Sequence, residues 1–565
     1  MRKVATTVFV LILSGLGTLT TTAAPKPADQ ARTMSDVIDR VITNENRASQ
    51  QIRQYSPLVE TYIQNLKPDK DLGYAPAGDK YFLGRADFSK GVSLVSLTDS
   101  NGKGKKIFGS IGNFFSFALQ FVPDGFLQMI FIDTNGFDKQ HYKFDYVRRE
   151  FLGEVRCLVF DVTPQEKSGK GRFLGRIWVE DQDYNIVRFN GAYSGSGHSS
   201  WWFHFDSWRA NVQPGVWVPS FVYSEEKDVH YNLSRKLDFK AQTRLWGYNL
   251  GHASQEQELS KILVETPVQD DTKTANDLTP VQAQRSWDRQ AEDNVIDRLE
   301  RIGLIAPRGE VDKVLETVVN NLEVTNNIDV EPEVRCRVMT TTTLESYTVG
   351  HTVVLSRGLI DVLPDEASLA TIVAHELSHA ILGHRLDSTY AFFDQLLIED
   401  KETFRHFGFA RTIDEEKAAN AKAIQILNNS PYKNQLGNAA LFLTALATRE
   451  KEIPNLISPH LGDRVPVIGE LRSSMPADAD VKKNQQMITA LPIGGRVKLD
   501  PWNDRLELIK SKPVGAVAER EKMPFEVTPF MPYLTRYGAE AAKPIAASAA
   551  QPANPRTGES APGKP

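Results

Sequence analysis

The run from Ile372 to Leu382 constrains the fold of this chain more than any other part of its sequence. It reads I-V-A-H-E-L-S-H-A-I-L and places the pattern H-E-x-x-H on an apolar, helix-compatible segment. The preceding Pro364–Asp365–Glu366 is a typical helix start, so we predict a helix through the motif. Ionisable residues on a buried helix need a partner, which favours a ligand-binding helix over a surface helix with two ordinary histidines.

The spacing of the motif indicates a divalent metal ion. Residues four apart share one helix face, so His375 and His379 can present two imidazoles to one ion. Neutral imidazole suits Zn²⁺, and a catalytic zinc ion takes three protein ligands and keeps one position open. Glu376 can reach a water at the ion without being a ligand, which makes it the candidate general base. We predict one Zn²⁺ per chain.

The residues directly after the motif do not offer a third ligand. An extended histidine motif would need Gly at 382 and His at 385, and the chain has Leu382 and Arg385 there. His384 lies about 140° round the helix from His379. We therefore interpret His384 as a histidine at the helix end or one that contacts a ligand, and we expect the third ligand downstream.

A second helical segment, from Asp414 to Ile424, carries the candidate third ligand. One face of this segment, at i, i+3, i+4 and i+7, consists of Glu416, Ala419, Asn420 and Ala423. The small alanines allow a close approach to the motif helix, which would point Glu416 at the metal. Glu415 is the competing ligand, and for either residue the alternative is an acidic first turn that favours the helix dipole.

These segments resemble zinc metallopeptidase family forty-eight over about residues 290–470. The family combines H-E-x-x-H with a later helix reading E-x-x-A-D-x-x-A, whose first Glu is the third zinc ligand. That register selects Glu416 over Glu415, and Asn420 stands where the family has Asp. The segment Leu344–Leu359 is similar to the family's strand pair before a Gly-Leu helix entry. An edge strand there pairs with the substrate backbone in zinc proteases of this type.

The same resemblance implies a role for a later histidine. The family has a histidine after the ligand helix, usually followed by Pro and then Arg. Pro459–His460 with Arg464 is the nearest match, with the order changed and the spacing shorter. The resemblance implies that His460 either stabilises the oxyanion or covers the metal as a latch. The alternative is a histidine in a surface loop.

The region from about 79 to 250 has a different residue pattern, typical of strands rather than helices. Short runs rich in Val, Ile, Phe, Tyr and Trp alternate with turn signals, which predicts an antiparallel meander, a curved sheet or a partial barrel. This region is similar, more faintly, to the curved-sheet domains of lipoprotein carriers. Six of the eight tryptophans lie between Trp178 and Trp246. They either line an apolar groove for acyl chains or partner proteins or form the core, and we favour the core.

The N-terminus has the layout of a secretory signal peptide. Arg2 and Lys3 lead into an uncharged stretch with a short apolar centre at Val8–Leu13 and small residues at Thr21–Ala24. This centre is shorter than the roughly 20 apolar residues that a spanning helix needs, and an uncleaved anchor is the alternative. We expect an exported protein, periplasmic or extracellular, that is soluble after removal of the signal peptide.

Together these patterns predict an α+β multidomain chain, with an antiparallel β-rich, half-barrel-like domain followed by a mainly helical zincin domain of the gluzincin type. Its 565 residues are too many for one ordinary core. The expected division is a signal peptide at 1–24, a helical segment at 33–78, a β-rich domain at 79–251, a linker at 252–285, a metallopeptidase domain at 286–538 and a disordered Ala/Pro-rich tail at 539–565. Cys157 and Cys336 are expected to be buried thiols.

The expected function is that of an exported zinc-dependent endopeptidase in protein quality control of the cell envelope. Its partners would be protein or peptide substrates, misfolded envelope proteins among them, with a membrane surface or lipoproteins as a further option for the β-rich domain. A formal charge of −5 gives no basic surplus, so we expect no nucleic acid. The alternative is an envelope chaperone or binding protein with an inactive or latched metal site, for which Asn420 and the His460 region are the reasons.

Overall fold

The computed structural model describes residues 33–70, 73–89, 91–97, 123–134, 136–169, 171–194, 203–232, 235–248, 280–384, 409, 411–458, 461, 463–464, 497–500, 505–508, 525, 527 and 533–538. The predicted signal peptide, the predicted disordered tail and most of the predicted linker lie outside these residues. Pro459 and His460 also lie outside them.

A ten-stranded sheet forms the N-terminal half, and every strand in it pairs antiparallel with its neighbours. Its strands are β1 (Leu58–Asp69), β2 (Gly73–Asp87), β3 (Ser93–Ser96), β4 (Tyr142–Leu152), β5 (Val155–Pro164), β6 (Phe173–Glu180), β7 (Ile186–Tyr193), β8 (Phe205–Gln213), β9 (Val216–Asn232) and β10 (Arg235–Trp246). The spatial order is β3-β2-β1-β10-β9-β8-β7-β6-β5-β4. All sequential strands are neighbours except β3 and β4, which form the two edges because β10 pairs with β1. The predicted meander is confirmed.

The predicted helical segment at 33–78 is only partly helical. Helix α1 spans Met34–Gln51, and β1 begins at Leu58. The apolar residues of β1 do recur at helical spacing, but β1 is a central strand whose first seven residues are all buried. A strand buried on both faces does not alternate apolar and polar residues, so its period is uninformative. Pro57, which disfavours a helical residue before it, is the signal that separates the two elements.

Apolar side chains cover both faces of the large sheet. One face packs against α1 and α2 (Pro123–Gln128) through a cluster rich in phenylalanine. Helix α1 is also held by Glu45, whose carboxylate accepts two hydrogen bonds from the buried Arg209 at 2.7 Å. The other face carries Trp178, Trp208 and Trp217, which are buried, as the core interpretation of the tryptophans requires.

The C-terminal half is built from helices around a small mixed sheet, as the α+β prediction requires. Its elements are α3 (Pro280–Ile302), α4 (Glu310–Asn326), β11 (Arg335–Met339), β12 (Glu345–Val349), β13 (Thr352–Ser356), α5 (Arg357–Val362), α6 (Glu366–Leu382), α7 (Ile413–Asn428), α8 (Leu436–Arg449), α9 (Pro454–Ile457), β14 (Asp463–Arg464), β15 (Val497–Asp500) and β16 (Arg505–Leu508). The small sheet has the order β11-β13-β12-β14, and β15 pairs with β16 separately. Helix α3 begins inside the predicted linker, at Pro280.

The two halves of the chain share one apolar core. Trp178, Trp208 and Tyr223 of the large sheet belong to the same buried cluster as residues of α5, α6 and α8. Cys157 and Cys336 belong to it as well and are free, buried thiols. In the part of the chain that is described, no helix combines the length and the apolar character needed to cross a membrane.

A buried carboxylate joins the halves where they meet. Glu60 of β1 accepts hydrogen bonds from the backbone nitrogen of Thr342 at 2.6 Å and from its Oγ1 at 2.7 Å. Tyr81 and Arg244 donate to the same carboxylate at 2.9 and 3.1 Å. Arg244 also donates to the carbonyl oxygen of Thr340 at 2.8 Å. The segment between β11 and β12 is therefore anchored on the large sheet.

Replacing Glu60 should weaken the whole protein. Glu60→Ala leaves the largely buried Arg244 without this carboxylate and Thr342 without its acceptor. We expect it to lower the free energy of unfolding by about 3–5 kcal/mol, the usual cost of removing one partner from a buried ion pair. Urea denaturation followed by tryptophan fluorescence measures this. Glu166→Ala, which removes an exposed carboxylate after β5, is the control and should change stability by less than about 0.5 kcal/mol. Equal effects of the two substitutions would contradict the anchoring role.

Candidate metal centre

Helix α6 carries the H-E-x-x-H motif through the middle of the C-terminal half. It starts at a cap in which the Asp365 side chain accepts a hydrogen bond from the backbone nitrogen of Ser368 at 2.8 Å. It ends at Gly383, whose φ of 68° is the left-handed conformation that glycine adopts at a helix end. Every residue from Ala367 to His379 except the partly buried Leu369 is buried. The motif therefore lies in the core, as its apolar flanks predict.

Two histidines of this helix and a glutamate of α7 lie close together. The Nε2 atoms of His375 and His379 are 3.2 Å apart. Glu416 of α7 places Oε2 3.2 Å from Nε2 of His375 and Oε1 3.8 Å from Nε2 of His379. All three residues are buried, and their potential ligand atoms lie within 4.8 Å of one another. The structure thus brings together the three residues that the sequence predicts as metal ligands.

The cap of α7 explains why Glu416 and not Glu415 faces the histidines. Thr412 caps the helix, and the Glu415 carboxylate accepts a hydrogen bond from the Thr412 backbone nitrogen at 3.0 Å. That bond, with a second one from the Thr412 hydroxyl, lowers the pKa of Glu415 and holds its side chain at the exposed cap. Ala419 is fully buried on the face that Glu416 shares, so α7 can approach α6 closely.

The geometry of this cluster fits a zinc ion. Two ligands about 2.0–2.1 Å from a tetrahedral zinc ion are about 3.3 Å apart, which is close to the separation of the two Nε2 atoms. Neither carboxylate oxygen of Glu416 has a hydrogen-bond donor of suitable geometry among the described residues, although both oxygens are buried. A buried carboxylate in this situation needs a cation. Two imidazoles and one carboxylate are also the ligand set of a known class of catalytic zinc sites.

The protonation of His379 suits metal binding. Burial lowers the pKa of His379 to about 2, and the nearby charges of His375, Arg411 and His384 act in the same direction. The imidazole is therefore neutral, which is the form that binds zinc. His384 follows Gly383, and its Nδ1 lies 2.9 Å from Nδ1 of His379. His384 thus contacts a candidate ligand at the helix end, which is the interpretation that its position in the sequence favoured.

The surroundings of His375 have the opposite effect. Burial alone would lower the pKa of His375, but the carboxylates of Glu416 and Glu376 outweigh it and raise the pKa. Asn420 is buried on the same face of α7 as Glu416 and contributes to this increase. Asn420 therefore lies next to a candidate ligand histidine, where its amide takes the place of the carboxylate that the family pattern has.

Glu376 is fully buried and is held by two hydroxyl groups of β12. Ser346 donates from Oγ to Oε1 of Glu376 at 2.6 Å, and Thr348 donates from Oγ1 to Oε2 at 2.7 Å. Burial raises the pKa of Glu376, against the opposing effects of His375 and the two hydroxyls. Neither Ser346 nor Thr348 is among the site residues predicted from the sequence. The available signal was their i, i+2 spacing in a predicted strand, which puts both side chains on one face.

Other groups of the chain occupy the outer edge of β12. Strand β14 pairs with β12 at Glu345 and Ser346, and the backbone nitrogen of Leu461 donates to Glu345 at 2.9 Å. Arg411 donates to the carbonyl oxygen of Thr348 at 2.7 Å. His460, the remaining predicted site residue, lies outside the described residues, so its role stays a prediction.

The choice between Glu416 and Glu415 is directly testable. Glu416→Ala removes one of three ligands and should reduce zinc from one ion per chain to a small fraction of that. Glu415→Ala is the matched control, because it removes the neighbouring carboxylate and affects only the helix cap, so zinc should be retained. Metal analysis by mass spectrometry on the purified proteins measures both. The opposite pattern would mean that the register of α7 is wrong.

Comparison with protein-family models identifies the region that contains this site. Residues 308–445 match the model of Peptidase family M48, which confirms the resemblance inferred from the two motifs. The match runs from α4 into α8 and therefore includes His375, Glu376, His379 and Glu416. This family is one of zinc-dependent metallopeptidases. No curated protein matches the chain.

Solved structures also show similarity to parts of the chain. One is a domain from Vibrio parahaemolyticus described as an outer membrane lipoprotein-sorting protein, with 9% identity over 40% of this chain and 98% of that domain, at a TM-score of 0.18. Another is a DUF1329 family protein from Desulfovibrio piger, with 11% identity over 38% of this chain and 95% of that one, also at 0.18. TM-scores of this size carry no conclusion about the fold.

Proposed function

We propose that this protein is a zinc-dependent endopeptidase. The observation that carries the proposal is the convergence of His375, His379 and Glu416 beside a fully buried Glu376, inside the region that matches a peptidase family. His375 and His379 would hold the ion through Nε2, and Glu416 would hold it through its carboxylate. When bound, the ion polarises the substrate carbonyl and lowers the pKa of water to about 7.

Glu376 supplies the proton chemistry of the proposal. A carboxylate oxygen of Glu376 takes the proton from the attacking water and later passes it to the nitrogen of the leaving amine. The water's oxygen forms the new bond to the carbonyl carbon, and the bond from that carbon to the amide nitrogen breaks. The burial of α6 keeps bulk water from competing for the carboxylate, which makes Glu376 a stronger hydrogen-bond partner than an exposed one.

The substrates of the proposal are proteins or peptides, and the setting is the cell envelope. Protein substrates follow from the peptidase family, whereas export and a role in quality control rest on the signal-peptide pattern of residues 1–24 and on the resemblance described above. An extended substrate would add its backbone to β12, the strand that contacts Glu376. We retain His460 as a candidate for stabilising the oxyanion or covering the metal. Contact with lipoproteins or a membrane surface would use the large sheet.

One observation favours a second candidate function, an envelope chaperone or binding protein with a latched site. The edge of β12 that a substrate would use pairs with β14 at one end and accepts a hydrogen bond from Arg411 at the other. A chain that stays in this state would bind clients without cleaving them. The two candidate functions differ in whether the zinc-loaded protein hydrolyses peptide bonds.

Substitution of Glu376 tests the mechanism. Glu376→Gln should retain one zinc ion per chain but lower the rate of casein cleavage by about 10²–10⁴-fold, because an amide cannot accept the proton. Glu366→Gln makes the same change at the first residue of α6, where the carboxylate accepts a hydrogen bond from Tyr432, and serves as the matched control. It should cleave at the rate of the unaltered protein. Cleavage by Glu376→Gln at that rate would remove Glu376 from the mechanism.

Removal of the metal separates the two candidate functions. Treatment with a chelator should abolish cleavage, and one equivalent of Zn²⁺ should restore it, because all three proposed ligands are needed to hold the ion. The measurement is casein cleavage before and after dialysis, with zinc content determined in parallel. A zinc-loaded protein that cleaves nothing but suppresses aggregation of an unfolded client, with Glu376→Gln equally effective, would favour the chaperone.

A further inference from the structure

We propose that Ser346 and Thr348 are positioning residues that fix the orientation of the Glu376 carboxylate. The inference rests on the proposed function and extends it to two residues outside the motif. Each hydroxyl donates to a different oxygen of Glu376, at 2.6 and 2.7 Å. Distances of this size are typical of a hydroxyl that donates to an ionised carboxylate. The two bonds together define both the position and the plane of the carboxylate.

Both hydroxyls donate their hydrogen bonds to Glu376. Each hydroxyl has one proton to donate. Thr348 Oγ1 also lies 3.0 Å from the backbone oxygen of Glu376, but the shorter contact, at 2.7 Å, is to the carboxylate. A carboxylate oxygen has two lone-pair directions. Among the described residues, one hydroxyl donates to each oxygen of Glu376, which leaves a second lone-pair direction on each oxygen for the proton of a water molecule.

Docking of β12 on α6 does not require these hydroxyls. Ser346 and Thr348 are held by backbone pairing with Leu355 and Val353 of β13, and the side chains of both are buried. Helix α6 is fixed by its own cap and by contacts with other helices. Apolar side chains of the same size would fill the same space. Two hydroxyls at alternate positions on the buried face of a strand are costly unless they are paired, and here they are paired to the proposed catalytic residue.

The expected consequence is a loss of turnover without a loss of metal. A Glu376 side chain without its two donors can rotate about its side-chain bonds, so fewer molecules hold the carboxylate where the water reacts. Ser346→Ala and Thr348→Val should each lower kcat by about 10- to 100-fold, the usual contribution of one hydrogen bond to a charged group. KM should change less than twofold. Zinc content should stay at one ion per chain, since neither hydroxyl bonds to a ligand.

Conservative variants and a neighbouring threonine provide the controls. Thr348→Ser keeps the hydroxyl and loses only a methyl group, so it should retain most of the kcat that Thr348→Val loses. Thr352→Val makes the same substitution at a buried position of β13 and should leave kcat unchanged. Thermal unfolding of each variant shows whether it is folded. If Thr348→Ser lost as much kcat as Thr348→Val, packing of the methyl group would be responsible and the proposal would be overturned.

A double substitution shows whether the hydroxyls act through Glu376. In a Glu376→Gln background, Ser346→Ala should lower the residual rate by less than twofold, because the carboxylate that it positions is already gone. An undiminished further loss, or a loss of zinc in either single variant, would overturn the positioning role. A full-length, zinc-loaded protein that cleaves no substrate would contradict the proposed function. Full kcat in both hydroxyl variants of a cleaving enzyme would contradict this inference alone.

Discussion

The structure depends on the burial of α6, a helix that brings two imidazoles and a carboxylate into the core. Such groups are costly to bury unless each finds a charged or hydrogen-bonding partner. Different elements supply these partners: Glu416 of α7 faces the histidines, β12 holds Glu376, and His384 after the helix end contacts His379. The same contacts that make burial of α6 tolerable also form the candidate site.

The large sheet takes part in this arrangement. Glu60 of β1 fixes Thr342, which lies three residues before β12, and the two halves share one apolar core. The strand that holds Glu376 is thus supported on one side by the sheet and on the other by α6. The β-rich half is therefore more than an appended binding module, because it helps to define where β12 lies.

Local spacing in the sequence indicates only part of the candidate site. H-E-x-x-H places two histidines on one helix face, whereas the resemblance to the family's later helix is what favours Glu416 over Glu415. The contacts that complete the site are long-range and left no such pattern. Ser346 and Thr348 look like ordinary strand residues until β12 is placed against α6, and Glu60 is 282 residues from Thr342 in the chain. The helical segment predicted at 33–78 was wrong at β1, where burial on both faces removed the alternation that identifies a strand.

Anomalous diffraction at the zinc absorption edge, from crystals of the full-length protein, tests the central claim most directly. The account predicts one strong peak per chain within bonding distance of Nε2 of His375, Nε2 of His379 and the carboxylate of Glu416, with Glu376 beside it and still bonded to β12. A peak at another place in the chain, or a zinc-loaded crystal in which Glu416 points away from the ion, would contradict it.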